Sequence, residues 1–191
     1  MLEKLKIYGF CLNAPKKQIL INMNLEFAKK DDAMSVFALL IRCRDSLIEQ
    51  GIFQWDKDYP DPDCVKNDIN NGSLAKLTDS GRLLGVISFD NSQEPEYKTV
   101  NWKISCESIA VIHRLAVDPK FQGKGYGGKL MNFAENSISE SGFKAIRLIA
   151  FSGNKMLAVF YKKLGYKMAG EIFFPGINLP FICMEKAVKT N

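Results

Sequence analysis

The sequence predicts an α/β domain with a mixed, mostly antiparallel central sheet flanked by helices, and three observations predict it. Apolar residues switch between strand and helix periodicity in the order strand, helix, helix, three strands, helix, strand, helix, two strands. The stretch SIAVIHRLAV, residues 108–117, is almost continuously apolar, as in a strand buried on both faces. That run leads into VDPKFQGKGYGGKLMNF, which sets Gly123, Gly125, Gly127 and Gly128 at a strand-to-helix junction. With 191 residues, 47% of them hydrophobic, the chain fits one domain with an ordinary buried core.

The elements follow in order. Residues 1–22 stand apart as an N-terminal extension, because MNLEFAKKDD from Met23 has the form of a first strand leading to a helix cap, so the single domain is assigned to residues 23–191. Asp31 and Asp32 offer that cap. Ala33, Val36, Phe37, Leu40, Ile41, Leu47 and Ile48 then give a helix its apolar face over about four to five turns. FQWDKDYPDPDC breaks the pattern as a loop before a short polar helix near residues 65–70. Residues 73–77 and 83–89 read as hairpin strands turned at TDSGR, and NSQEPEYKTVNWK as a long polar excursion before the central strand. After the glycine loop, Leu130, Met131, Ala134 and Ile138 recur at helical spacing in a helix ending near Gly142. KAIRLIAF is the next strand and NKMLAVFYKKLGY a helix stopped by Gly165. YKMAGEIFF and LPFICMEKAV close the sheet on either side of Pro175 and Gly176.

Composition narrows the function. The net charge of +5 comes from dispersed lysines without a basic run or a nucleic-acid module, so no nucleic-acid partner is expected. Cys11, Cys43, Cys64, Cys106 and Cys183 are odd in number and lack C-x-x-C spacing, and there is one histidine. We read the cysteines as reduced packing residues, with neither a disulfide framework nor a metal site. No apolar run approaches the roughly 18 residues of a membrane span, and the N-terminus lacks a signal peptide's apolar region. A cytoplasmic protein without a membrane partner is the expectation.

The glycine loop asks for an anion, since a helix start offers unpaired N–H groups to negative charge. A Walker loop fails because Lys129 is followed by Leu130 and not by a hydroxyl residue. Gly123, Gly125 and Gly128 match a dinucleotide fingerprint formally, but the loop falls late, after antiparallel strands, and no acid ends the next strand. The third template is Q-x-x-G-x-G, present as Gln122, Gly125 and Gly127 after RLAVDP. Further on, NKMLAVFYKKLGY follows N-x-x-A-x-x-F-Y-x-K-L-G-F at Asn154, Phe160, Tyr161, Leu164 and Gly165, with Tyr166 for the final aromatic and Ala158 one place late. On these two motifs, and on the element order from about Met23 to Lys186, the chain resembles the GNAT superfamily of N-acetyltransferases.

The resemblance implies the acyl-CoA N-acyltransferase fold, with a splayed pair of parallel strands and acetyl-CoA as acyl donor. It implies that the backbone amides of Gln122, Gly123, Lys124, Gly125, Tyr126, Gly127 and Gly128 hold the pyrophosphate, with Lys120, Lys124 and Lys129 as charges at the rim. The pantetheine arm would pair with backbone groups of Leu115, Ala116 and Val117, and Asn154 would touch the pantetheine or phosphate region. Tyr161 would protonate the departing thiolate; read without the motif, it is a packing tyrosine and Asn154 a helix cap. An alkylamine of pKa about 10 must lose a proton before it attacks, and where some members carry a glutamate this chain has Ile149. The base therefore stays open between Glu107 and His113, and His113 reads equally as a core histidine.

The loop between the first two helices, which the family sets beside the thioester, supplies Trp55, Asp56, Asp58 and Tyr59 for a cationic acceptor, or simply anchors itself through Trp55. The expected activity is acetyl transfer to a primary amine, on a small molecule or a peptide or protein, by direct attack in a ternary complex. The alternative is a sensor or structural protein of the same fold that binds acetyl-CoA without efficient turnover. The apolar EIFFPGINLPFICM permits a homodimer.

Overall fold

The protein is described here from a computed structural model over residues 22–188, so the expected extension lies, apart from Asn22, outside the described residues. The elements are β1 (Met23–Phe27), α1 (Ala33–Glu49), α2 (Pro62–Asn70), β2 (Leu74–Asp79), β3 (Arg82–Asp90), β4 (Ile109–Val117), α3 (Tyr126–Glu140), β5 (Ala145–Phe151), α4 (Lys155–Lys163), β6 (Lys167–Ile172) and β7 (Phe181–Ala187). Their order is the one the periodicity predicts.

Seven strands form one sheet in the order β1-β2-β3-β4-β5-β7-β6. Every neighbouring pair is antiparallel except β4 and β5, which run parallel because α3 carries the chain back across the sheet between them. β7 returns between β5 and β6 and pairs with β5 from Ala145↔Ala187 to Phe151↔Phe181. The β2–β3 turn holds Ser80 and Gly81 both at positive φ, the backbone that a two-residue hairpin needs.

Helices cover both faces. Leu130, Met131, Ala134 and Ile138 of α3 are fully buried against Ala75, Leu77, Ile87, Ala110 and Ile112 of the sheet. Val36, Leu39 and Leu40 of α1 pack with Val65 and Ile69 of α2 on Leu74, Val86 and Ala116 of the opposite face. Each such side chain contributes about 1.5–3 kcal/mol of burial, and together they fix β4 between two layers.

Three expectations need correction. Asp32 does not cap α1: its carboxylate accepts the Lys29 N–H at 2.8 Å and pairs with Lys76 Nζ at 2.7 Å, so a short 3-10 turn at Lys30–Asp32 precedes the helix. The second helix begins earlier than its apolar residues indicate, because Asp61 accepts the Cys64 N–H at 2.7 Å and Pro62 occupies the first turn. The excursion between β3 and β4 is not merely polar. It buries Tyr97, whose carbonyl accepts from Trp102 Nε1 at 2.9 Å, and Arg147 of β5 stacks on the Trp102 ring at 4.1 Å. Buried Glu185 of β7 accepts the Lys103 and Ile104 N–H groups at 2.7 and 3.2 Å, pinning this segment to the sheet.

Candidate active site

The parallel pair opens in the middle of the sheet. β4 and β5 are in register only from Ile109↔Ala145 to Ile112↔Leu148, while β4 stays paired with β3 as far as Val117↔Gly85 and β5 with β7 as far as Phe151. Residues 113–117 therefore have one strand edge that β5 does not pair, on which the Val117 carbonyl is taken by side chains of Gln122 and Cys43. Leu115 and Val117 face the α3 core and Ala116 the α1 core, so their side chains serve packing.

The open edge leads to the glycine loop. Gly123 and Gly125 sit at φ +76° and +81°, the left-handed region that L side chains avoid, and Gly125 is the residue that starts α3. No side chain caps α3 and no acid stands in its first turn; the helical bonding begins with the Lys129 N–H on the Gly125 carbonyl at 3.2 Å. The N–H groups of Tyr126, Gly127 and Gly128 thus emerge at the positive end of a fifteen-residue helix. A Cβ on Gly123, Gly125 or Gly128 would meet no protein atom within 4 Å, and one on Gly127 would only touch Phe160 of α4 at 3.5 Å. The space above the loop is open, and at Gly125 the requirement for glycine is conformational.

Side chains brace this loop. Gln122 donates from Nε2 to the Val117 carbonyl at 3.0 Å, which makes it a strut of the turn, and Cys43 of α1 donates to the same oxygen at 3.3 Å. Buried Asp118 accepts the Lys120 N–H at 3.0 Å and, on its other oxygen, Arg42 of α1 through Nε and an Nη at 2.9 and 2.8 Å. Sequence reasoning missed this clamp, because Arg42 and Asp118 meet only through the fold. Lys124 lies over the Phe121 ring at 5.3 Å.

α4 contributes Asn154 and Tyr161. Asn154 occupies the N-cap position, yet its side chain makes no capping bond, which corrects the expectation of a helix cap. Tyr161 is 5% exposed, between Phe160 and Tyr166 in tilted edge contacts at 5.2 and 5.9 Å. Burial pushes its phenol well above the ordinary tyrosine range, so it keeps its proton at neutral pH.

Of the two candidate bases, only one is near the opening. Glu107 is exposed and precedes the N-terminal end of β4, eight residues along an extended chain from Leu115, on the order of 25 Å. His113 is the first β4 residue beyond the last parallel pair. The register with β3 slips there, Ser88↔Arg114 being followed by Phe89↔Ile112, so His113 is the extra residue of a bulge. Its Nε2 lies 2.7 Å from Asp90 Oδ1 of β3. Burial raises the Asp90 pKa, but the bonds from His113 and from the Ser92 N–H at 2.6 Å outweigh it and hold the carboxyl below the usual range. His113 is a mostly sheltered histidine with a polar partner, as a satisfied core histidine or a positioned base would have.

The α1–α2 loop is held from below. Arg114, nearly buried, donates to Asp68 of α2, to the Tyr59 hydroxyl at 2.7 Å and to Ser88 at 3.3 Å. Asp56 Oδ1 accepts the N–H groups of Asp58 and Tyr59, both at 2.9 Å, so it shapes the turn; Trp55 packs on the α1–α2 core with its ring 6.5 Å from that of Tyr59. Asp58 is exposed beside Lys57. The expected acceptor residues thus also anchor this loop, with Tyr59 still 39% exposed.

A parallel pair that splays beside an uncapped, glycine-rich helix start is the irregularity around which this α/β fold is built. The Acetyltransferase (GNAT) family model matches residues 40–166, and the chain belongs to that family. It is 27% identical over 142 residues to the uncharacterised N-acetyltransferase YesJ of Bacillus subtilis, covering 73% of this chain and 79% of that protein. It is 36% identical over 90 residues to an uncharacterised N-acetyltransferase of Methanocaldococcus jannaschii, covering 46% of this chain and 36% of that one. Among solved structures the fold is shared with a GNAT-family acetyltransferase of Streptococcus agalactiae (TM-score 0.76, 20% identity, 88% of this chain and 96% of that one). It is also shared with the ribosomal-protein-S18-alanine N-acetyltransferase of Escherichia coli (TM-score 0.64, 16% identity, 88% and 96% covered).

Proposed function

We propose that this protein transfers the acetyl group of acetyl-CoA to a primary amine by direct attack of the amine on the thioester. One observation carries the reading: the edge at residues 113–117 that β5 leaves unpaired is followed, after residues 118–125, by the uncapped N-terminus of α3. That sequence of groups suits a pantetheine amide chain followed by a diphosphate. Leu115, Ala116 and Val117 would meet the pantetheine through main-chain groups. The amides from Gln122 to Gly128 would receive the pyrophosphate, and Asn154, whose side chain is not used as a cap, adds a donor beside them. Acetyl-CoA is a substrate here; it supplies the activated acyl carbon.

Tyr161 would donate its O–H to the sulfur as negative charge develops there, a role for which a phenol that holds its proton is suited. The acceptor would enter beside the α1–α2 loop, where Tyr59 and Trp55 offer aromatic surface. A panel of an aliphatic monoamine, a polyamine, an arylalkylamine and a peptide α-amine, assayed for CoA release, tests the reading. Replacing Tyr161 by Phe should lower kcat about 10²- to 10³-fold while acetyl-CoA affinity is retained. Binding of acetyl-CoA without turnover of any amine would instead favour a sensor of the same fold.

A further inference from the structure

We infer that His113 and Asp90 form a catalytic dyad, in which His113 takes the proton of the attacking amine on Nδ1 and Asp90 is the positioning residue that fixes the ring. The inference rests on the proposed acyl transfer. Three observations meet at one residue. The parallel pairing ends at Ile112↔Leu148, so His113 stands at the apex of the splay. It is also the extra residue of the β3–β4 bulge, a device that re-aims a side chain within an otherwise regular strand. And its Nε2 is tied at 2.7 Å to a carboxylate that is itself fixed by the Ser92 N–H.

The tautomer follows from the partner. Asp90 stays ionised at neutral pH and can only accept, so Nε2 carries the proton and the lone pair of the neutral ring is on Nδ1. Two charged groups adjoin His113 on β3 and β4. β3 offers Asp90, and β4 offers Arg114, whose guanidinium is turned to Asp68 of α2 and to Tyr59 of the loop. The continuation of β5 opposite is Ile149, which has no charge. His113 is 16% exposed at its side chain, mostly sheltered yet still reachable.

The step balances as follows. A neutral amine forms the C–N bond to the acetyl carbon and gives one N–H proton to Nδ1. The electron pair of the broken C–S bond leaves on sulfur, which takes the Tyr161 O–H proton; the imidazolium releases its proton to solvent and solvent reprotonates Tyr161, which restores both residues.

This 191-residue chain has a single histidine, so its ring signals need no assignment. Ring ¹⁵N NMR should report the neutral ring as the Nε2–H tautomer, with its resonances moving when acetyl-CoA is added. His113→Gln should lower kcat/KM for the best amine of the panel about 10²- to 10⁴-fold while acetyl-CoA affinity stays near wild type. Asp90→Asn should lower kcat for that amine with its KM near wild type and move the ring ¹⁵N resonances, because a neutral amide replaces the charged acceptor at Nε2. A residue that only supported the fold would lower the rate without moving the ring resonances. An Nδ1–H tautomer, unmoved ring resonances in Asp90→Asn, or full activity in His113→Gln overturns the dyad while leaving acyl transfer intact. Failure of the wild type to bind acetyl-CoA would instead sink the reading on which the dyad rests.

Discussion

Replacing Gly125 by Ala separates what the fold needs from what the ligand needs. Gly125 starts α3 at φ +81°, ψ 4°, and a Cβ there touches nothing, so the whole penalty is backbone conformation. An L residue in that region costs about 1–2 kcal/mol, partly offset by about 0.4–1 kcal/mol of lost unfolded-state entropy. The net is about 1 kcal/mol, a fall in Tm of about 2–4 °C for a domain of this size. Binding should suffer more. If the loop relaxes, the N–H groups of Tyr126, Gly127 and Gly128 lose their common aim, and one charge-assisted bond of about 1.5–3 kcal/mol lost weakens acetyl-CoA about 10- to 150-fold. Gly125→Asn, which tolerates the left-handed region, should stay closer to wild type in both respects. Calorimetric titration and thermal unfolding of the two variants make the comparison. Wild-type affinity in the alanine variant, or a stability loss above about 4 kcal/mol, would refute the argument, the first removing the amide seat and the second implying a packing clash.

Other expectations follow from the same geometry. Asp68→Ala leaves the Arg114 guanidinium buried without its carboxylate and should cost about 3–5 kcal/mol in urea unfolding, with the α1–α2 loop loosened around Tyr59. Burial pushes the Cys43 thiol up to about 12, with Asp118 adding to the rise, and the Cys183 thiol up to about 11; neither should be alkylated by iodoacetamide at pH 8 until the protein is unfolded, as mapped by mass spectrometry. For Asp32, burial raises the pKa but the Lys76 ion pair and the Lys29 N–H outweigh it, and Asp90 is likewise depressed. A carboxyl with a depressed folded-state pKa stabilises above its unfolded value of 3.8 and loses that contribution as pH falls through the lower folded value. The urea midpoint should therefore drop between pH 5 and pH 3, and drop less in Asp32→Asn.

Much of the fold was legible because periodicity is a local signal. Leu130, Met131, Ala134 and Ile138 announced the buried face of α3, and the unbroken run of β4 announced a strand covered on both sides. The glycine loop was legible for the same reason, since left-handed backbone at Gly123 and Gly125 leaves a compositional trace. What escaped the sequence depends on pairs distant along the chain. Arg42 meets Asp118 and Arg114 meets Asp68 only after α1 and α2 fold over β4, and no spacing encodes either contact. The difference between Glu107 and His113 was invisible as well: both flank or lie in the same strand, and only the register shows that the bulge and the end of the parallel pairing coincide at His113. The roles expected of Asp56 and Trp55 were plausible by residue type, but the hydrogen-bond and packing partners tie both to the loop's own architecture.

The most direct test is the thermal midpoint of the protein with acetyl-CoA, with NAD as the control, because a ligand that binds only the folded state must raise it. A rise with acetyl-CoA alone is the predicted result, by about 2.7 kcal/mol of added stability at a hundredfold excess over Kd. No shift at millimolar acetyl-CoA, or an equal shift with NAD, would contradict the assignment of the splayed edge and the α3 N-terminus to an acyl-CoA.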